Sequence, residues 1–210
     1  SATFLGAFLP FQQRIARLGV LNSLVQTALK LTAPGVPDIY QGAELWDFSL
    51  VDPDNRRPVD FALRERLLAE VTKALDGDRE TALGTMLDRW QDGRIKLALV
   101  ATALRCRAGN PALFASGSYE PLAIEGEDAE CVCGFLRRFE ETSLLVAVQR
   151  FPLRGEAGPV RASIVAGPAH GDISGAWRDL LSGRSVTAAD GALPATELFP
   201  TLPVALLVPA

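Results

Sequence analysis

The sequence predicts an α+β chain in two parts: a mostly helical segment over residues 1–111, then an antiparallel β-sandwich over 112–210. Three observations carry this. Apolar residues before 111 recur at spacings of three and four, the helical period. After 111 they alternate, and the segments between the alternating runs are rich in Gly, Pro, Asp and Glu. Several short strands at such spacing suggest two packed sheets or a partial barrel. With 210 residues, 48% of them hydrophobic, the chain is large enough to bury a sizeable core.

In order along the chain, Phe4, Phe8, Phe11, Ile15 and Leu18 fall on one face of a first helix, with Gly19 as an expected interruption. Val20, Leu21, Leu24, Val25, Ala28, Leu29 and Leu31 continue it with a wider apolar surface, and Pro34-Gly35 stops it. Residues 36–40 are a candidate strand, weakened by Pro37. Residues 41–60 form a long polar loop, of a length usually associated with function or disorder. Trp46, Phe48, Leu50 and Val51 within it argue for order. Helices follow over 61–75, around Leu83 to Trp90, and over 94–108, the last ended by Asn110-Pro111. Strands are expected over 119–124, 131–139, 144–149, 161–165, 177–180 and 204–208.

Charge and cysteine content exclude several classes. The net charge is −4, and Arg56-Arg57 and Arg137-Arg138 are pairs rather than clusters, so neither nucleic acid nor an anionic membrane is expected as partner. No apolar run approaches the roughly 20 residues of a membrane span, and no signal peptide is present. The three cysteines cannot all pair; Cys131 and Cys133, two apart on a strand, are expected to share a buried face. No metal site or other cofactor is expected, because the one histidine, His170, is distant from the cysteines and reads as a surface loop residue. The absence of a disulfide framework favours the cytoplasm. The chain opens Ser-Ala-Thr-Phe and its one methionine is Met86, so a piece of a longer protein is expected.

Two stretches carry chemistry. In PGVPDIYQGAELWD (34–47), a strand would end at Tyr40 or Gln41, Gly42 would permit a sharp turn, and Glu44, Trp46 and Asp47 would enter a loop. Helix, strand and polar loop in succession make half of an α/β-barrel step, whose loop lies on the catalytic face. In LVDPDNRRPVD (50–60), Pro53-Asp54-Asn55 reads as a turn that gathers Asp52, Asp54, Arg56 and Arg57. Fixed donors and acceptors at that density suit sugar hydroxyls. The competing reading is a loop whose charges satisfy one another.

These stretches also carry a resemblance. PGVPDIYQGAELWD resembles the eighth-strand segment of α-amylase-superfamily (β/α)8 barrels, which follows a Gly-x-Pro-x-Ile-Tyr-x-Gly-x-Glu pattern. The same run followed by LVDPDNRRPVD is similar to the C-terminal part of the maltooligosyltrehalose synthase family, with weaker similarity in DGRIKLALVATALR, NPALFASGSYEPL and LFPTLPVALL. The resemblance implies the helical remnant of the last part of a barrel, including its eighth strand. It implies an intramolecular transglycosylase that converts the reducing-end α-1,4 linkage of a maltooligosaccharide to α,α-1,1, through chemistry like that of a retaining glycosidase. The superfamily's nucleophile and acid follow the fourth and fifth strands and a further aspartate follows the seventh. None of these segments is matched here, so the chain is expected to carry no catalytic residue and to be inactive alone.

The resemblance makes Tyr40, Gln41, Glu44, Trp46, Asp52, Asp54, Asn55, Arg56 and Arg57 the candidate contacts to substrate or to its supporting groups. Tyr40 either lines the base of the sugar site or fills the barrel interior. Trp46 is either a stacking platform for a glucose ring or an anchor packed on the domain. At least one of the two arginines is expected to fix the loop by holding a carboxylate. Trp90 and Trp177 read as core. An alternative is a non-catalytic carbohydrate-binding or structural module of another enzyme of the superfamily, although no row of exposed aromatics marks such a face. A debranching or trehalose-releasing hydrolase of the superfamily is disfavoured by DPDNRRP. Without a complete barrel, the first helix is expected to expose Phe8, Phe11 and Ile15 and to drive self-association.

Overall fold

The computed structural model describes residues 1–166 and 173–210; His170 lies outside them. Helices come first: α1 (Ala2–Thr32), α2 (Phe61–Leu75), α3 (Arg79–Asp88), α4 (Arg94–Gly109) and the short α5 (Pro111–Ser116). Strands β1 (Glu120–Pro121), β2 (Ala123–Glu125), β3 (Val132–Phe139) and β4 (Thr142–Gln149) follow, then a helical turn α6 (Pro152–Gly155) and β5 (Ser163–Val165). The chain ends through β6 (Gly175–Asp179), β7 (Ser185–Ala188), β8 (Ala192–Pro194), the turn α7 (Ala195–Leu198) and β9 (Val204–Pro209). The fold is therefore mixed α+β. One antiparallel sheet has the order β1-β3-β4-β9-β6-β7 and a smaller one has the order β2-β5-β8.

Period-2 alternation in the central strands divides the core in two. From β4, Leu144, Val146 and Val148 face the helices, joined by Val204 and Leu206 of β9. Leu145 and Ala147, with Ala205 and Leu207, face the small sheet, where they meet Ile164 and Leu193. Both faces of these strands are buried, which is why their sequence is an unbroken apolar run. On the helical side α4 is the hub: its Ile95, Leu97, Ala98, Leu99 and Ala103 are buried where it packs against α1, α2, α3 and α5, while α1 and α5 make the contacts to the sheet.

Several expectations need correction. Gly19 does not interrupt α1, which runs unbroken for 31 residues. A mid-helix glycine costs only about 1 kcal/mol relative to alanine, and burial of Val20, Leu24, Ala28 and Leu31 just beyond it outweighs that. Residues 36–40 form no strand; a strand needs a neighbour to pair with, and the two sheets here are built from the second half of the chain. The helix expected around Leu83 begins at Arg79, where Asp78 caps it by accepting from the Thr81 amide at 3.2 Å, and it stops before Trp90, which starts a 3₁₀ turn. The expected strand over 119–124 is two strands in different sheets, hinged at Leu122. Cys131 and Cys133 do not share a face. Cys131 closes a 3₁₀ turn just before β3, so the strand's alternation does not apply to it; it joins the small-sheet core while Cys133 packs on the helical side. All three cysteines are free. Strands β7 and β8 and the turns α6 and α7 were not anticipated.

The first half of α1 is exposed around its whole circumference. Phe8, Phe11 and Ile15 stand open to solvent as expected, with Phe4, Leu5 and Leu9 beside them. Its tie to the β-rich half is the ion pair of Arg14 with Glu156 at 2.8 Å. Among the described residues no helix is long and apolar enough to cross a membrane.

Candidate functional site

The loop between α1 and α2 is built from two turns and three anchors. Gly42 adopts φ +90°, and the Ala43 amide closes the first turn on the Tyr40 carbonyl at 3.0 Å. A side chain at Gly42 would be strained by that φ and would press on Val59, whose Cγ2 lies 3.3 Å from the position of an added Cβ. The second turn is a 3₁₀ turn over Asp54–Arg56, preceded by a cis peptide between Asp52 and Pro53.

The first anchor is Trp46. Its indole N–H donates to the Trp90 carbonyl at 2.5 Å, its ring meets Trp90 edge-on at 6.4 Å, and the Lys96 ammonium sits 5.4 Å from its centroid. This arrangement is that of an anchor, and Trp90, half-buried, is its other half rather than deep core. Lys96 also donates to the Leu45 carbonyl at 3.0 Å. Burial, with the nearby Lys30 charge, holds its pKa below the ordinary lysine value, while Asp47 and Glu44 pull the other way.

The second anchor is Arg64 of α2, a residue the sequence reading did not single out. It forms an ion pair with Glu44 and donates to the carbonyls of Gly42 at 3.2 Å and Asp60 at 3.0 Å. One guanidinium thus ties the first turn to the start of α2. Glu44 is accordingly engaged with protein rather than free. The third anchor is Asp47, which accepts from the Ser49 hydroxyl at 2.6 Å and the Ser49 amide at 2.9 Å. Those two bonds, the side-chain one foremost, hold its carboxyl below the usual range.

The DPDNRRP loop satisfies most of its own charge. Asp52 pairs with Arg56 and Asp54 with Arg57, and Asp54 also accepts from the Leu50 amide at 2.7 Å. Both arginines are exposed, so these pairs shape the loop more than they stabilise the fold. Asn55 is the exception: its side-chain oxygen is buried with no hydrogen-bond donor among the described residues. The residue lines a groove of ≈ 460 Å³ together with Gln41, Trp46, Asp54 and Arg57. The structure thus brings five of the nine candidates to one groove. Glu44, Asp52 and Arg56 support the loop from outside it, and Tyr40, 45% exposed, lies on the unpaired segment before it.

The carboxylates of this groove are poorly suited to proton transfer. Asp47, Asp54 and Asp60 all serve local structure, Asp60 by capping α2 at the Leu63 amide at 2.9 Å. A general acid needs a raised pKa, and that of Asp47 is lowered. No group of three or more potential metal ligands occurs among the described residues. What the groove offers is hydrogen bonding from amide and guanidinium groups beside two aromatic side chains, Trp46 and Phe48, with the buried Asn55 oxygen behind its wall.

No family model matches the chain. Over 187 residues it is 40% identical to a Mycobacterium tuberculosis protein named "Putative maltooligosyl trehalose synthase", which covers 89% of this chain and 20% of that protein. Among solved structures, a single-residue mutant of maltooligosyltrehalose synthase from Arthrobacter ramosus is similar at a TM-score of 0.72 and 37% identity, over 91% of this chain and 22% of that one. An Anoxybacillus α-amylase shares the fold alone, at a TM-score of 0.53 and 18% identity, over 95% of this chain and 34% of that one. The chain resembles the C-terminal part of maltooligosyltrehalose synthase, and it spans 20% of the length of the curated relatives it matches.

Proposed function

We propose, from that likeness to the C-terminal part of maltooligosyltrehalose synthase, that this chain is part of a longer glucosylmutase and forms one wall of its active site. The observation that carries the reading is 40% identity across 89% of the chain. In this reading α1 to α5 are the last part of a (β/α)8 barrel, the segment 36–40 occupies the place of its eighth strand once neighbouring strands are present, and the two sheets are its terminal β-sandwich. The substrate is a maltooligosaccharide, and the product carries α,α-1,1-linked glucose in place of the reducing end, as in trehalose biosynthesis. The free thiols accord with a cytoplasmic location.

Within this reading the chain's residues bind and shape rather than react. Asn55 Oδ1 accepts from a sugar hydroxyl, and Gln41 and Arg57 supply donors beside it. Arg64, Glu44 and the Trp46–Trp90 pair keep the loop rigid, which matters because a freed glucose must turn over without escaping and without water replacing it. The nucleophile and acid lie in parts of the longer protein outside this chain.

The test is direct. Incubated with maltopentaose, the chain alone gives no loss of reducing ends, whereas a longer protein carrying it does. Appreciable non-reducing product from the chain alone would overturn the reading.

A further inference from the structure

A second cavity, of ≈ 360 Å³, opens where the helices meet the large sheet. Three arginines line it from three different elements: Arg79 at the start of α3, Arg105 of α4 and Arg178 of β6. One acidic residue, Asp76, is on its wall, and it makes no ion pair with any of the three among the described residues. A local excess of positive charge in a chain of net charge −4 asks for an explanation.

Capping accounts for part of it. Arg79 donates to the carbonyls of Leu75 at 2.8 Å and Leu180 at 3.2 Å, joining the end of α2 to the strand side. Arg105 spends one donor on the Thr72 hydroxyl at 3.0 Å and keeps the rest of its fork open. Arg178 has no acceptor among the described residues. Beneath these groups the wall is apolar, from Leu75, Leu180 and Val208.

We propose that this cavity binds a small organic phosphate, its phosphoryl group held by Arg105 and Arg178 and its carbon skeleton laid on Leu75, Leu180 and Val208. Planar guanidinium forks match phosphate oxygens two at a time. Most small-molecule sites pair a few placed polar groups with an apolar wall in this manner. The site is separate from the sugar groove and does not depend on the reading given to that groove.

Phenyl phosphate is the probe, with phenol and inorganic phosphate as its two halves. Calorimetric titration of the full chain is expected to show phenyl phosphate binding at least tenfold more tightly than either half. Arg178→Gln and Arg105→Gln each weaken it about tenfold, and added salt weakens it further. Both side chains are exposed, so the variants keep the wild-type melting midpoint, and Arg79, which holds the fold together, is left alone. Cys106 lines the same cavity, so bound phenyl phosphate also slows its reaction with a thiol reagent in a Cys133→Ser background. No binding of phenyl phosphate, or equal binding by the wild type and the doubly substituted chain, would overturn the proposal.

Discussion

Arg137 is 2% exposed and has no carboxylate partner among the described residues. It donates instead to backbone carbonyls of Thr32 and Leu113 at 3.0 Å and of Ser118 at 2.7 Å, with Gly117 at 3.3 Å. These carbonyls belong to the ends of α1 and α5 and the turn beyond, where helix dipoles favour a cation. Burial, and then the neighbouring Arg107 charge, lowers its pKa. Lysine cannot reproduce the fork, so Arg137→Lys should lower the unfolding free energy by about 3 kcal/mol in denaturant titration, since it strands buried acceptors. A loss near zero would contradict the role. Nothing local in the sequence marks this residue as buried: Thr32 lies 105 positions away. Arg64 was equally illegible, since its acceptors come from the preceding loop. Asp47 supplies a pH prediction. Its folded pKa lies below its usual 3.8, so its contribution to loop order is complete above that value and is lost as pH falls through the folded one. The Ser49 amide resonance should titrate with a midpoint below 3.8; a midpoint at or above it would refute the hydrogen-bonded turn.

At the scale of elements, legibility followed local signals. Helix α2 has the bounds its sequence predicts, because Leu63, Leu67, Leu68, Val71 and Leu75 keep one apolar side and Asp76-Gly77-Asp78 marks the stop. The central strands were read because burial on both faces leaves an apolar run. Strands β7 and β8 were missed because each points a single fully buried apolar side chain inward, Val186 and Leu193, and is otherwise mixed in character. The segment 36–40 misled for the opposite reason: its pattern suits a strand, and no strand among the described residues pairs with it. The exposed half of α1 carries its own prediction. Six large apolar side chains lie open on it, with Phe11 62% exposed, and such a patch drives association. Sedimentation of the chain should show mass rising with concentration, and Phe8→Glu with Phe11→Glu should suppress the rise. A monomer at all concentrations would show that the patch is inert.

At the scale of the whole molecule, a loop of seemingly reactive residues proves to be mostly self-satisfied. Ion pairs hold Asp54 and Glu44, the Ser49 hydrogen bonds hold Asp47, and the Trp90 carbonyl holds Trp46. The position of the groove along the chain was legible because the motif that lines it is contiguous. Which members face the groove was not, because that depends on how the two turns fold against α2. What remains without a partner among the described residues is the buried oxygen of Asn55, behind the wall of the groove that Gln41 and Arg57 also line. The most direct measurement is therefore kcat/KM for maltopentaose conversion by the longer protein with Asn55→Ala in this segment. A lost hydrogen bond to a sugar hydroxyl predicts a fall of about tenfold with an unchanged melting midpoint. An unchanged kcat/KM would contradict the placement of this groove in the active site.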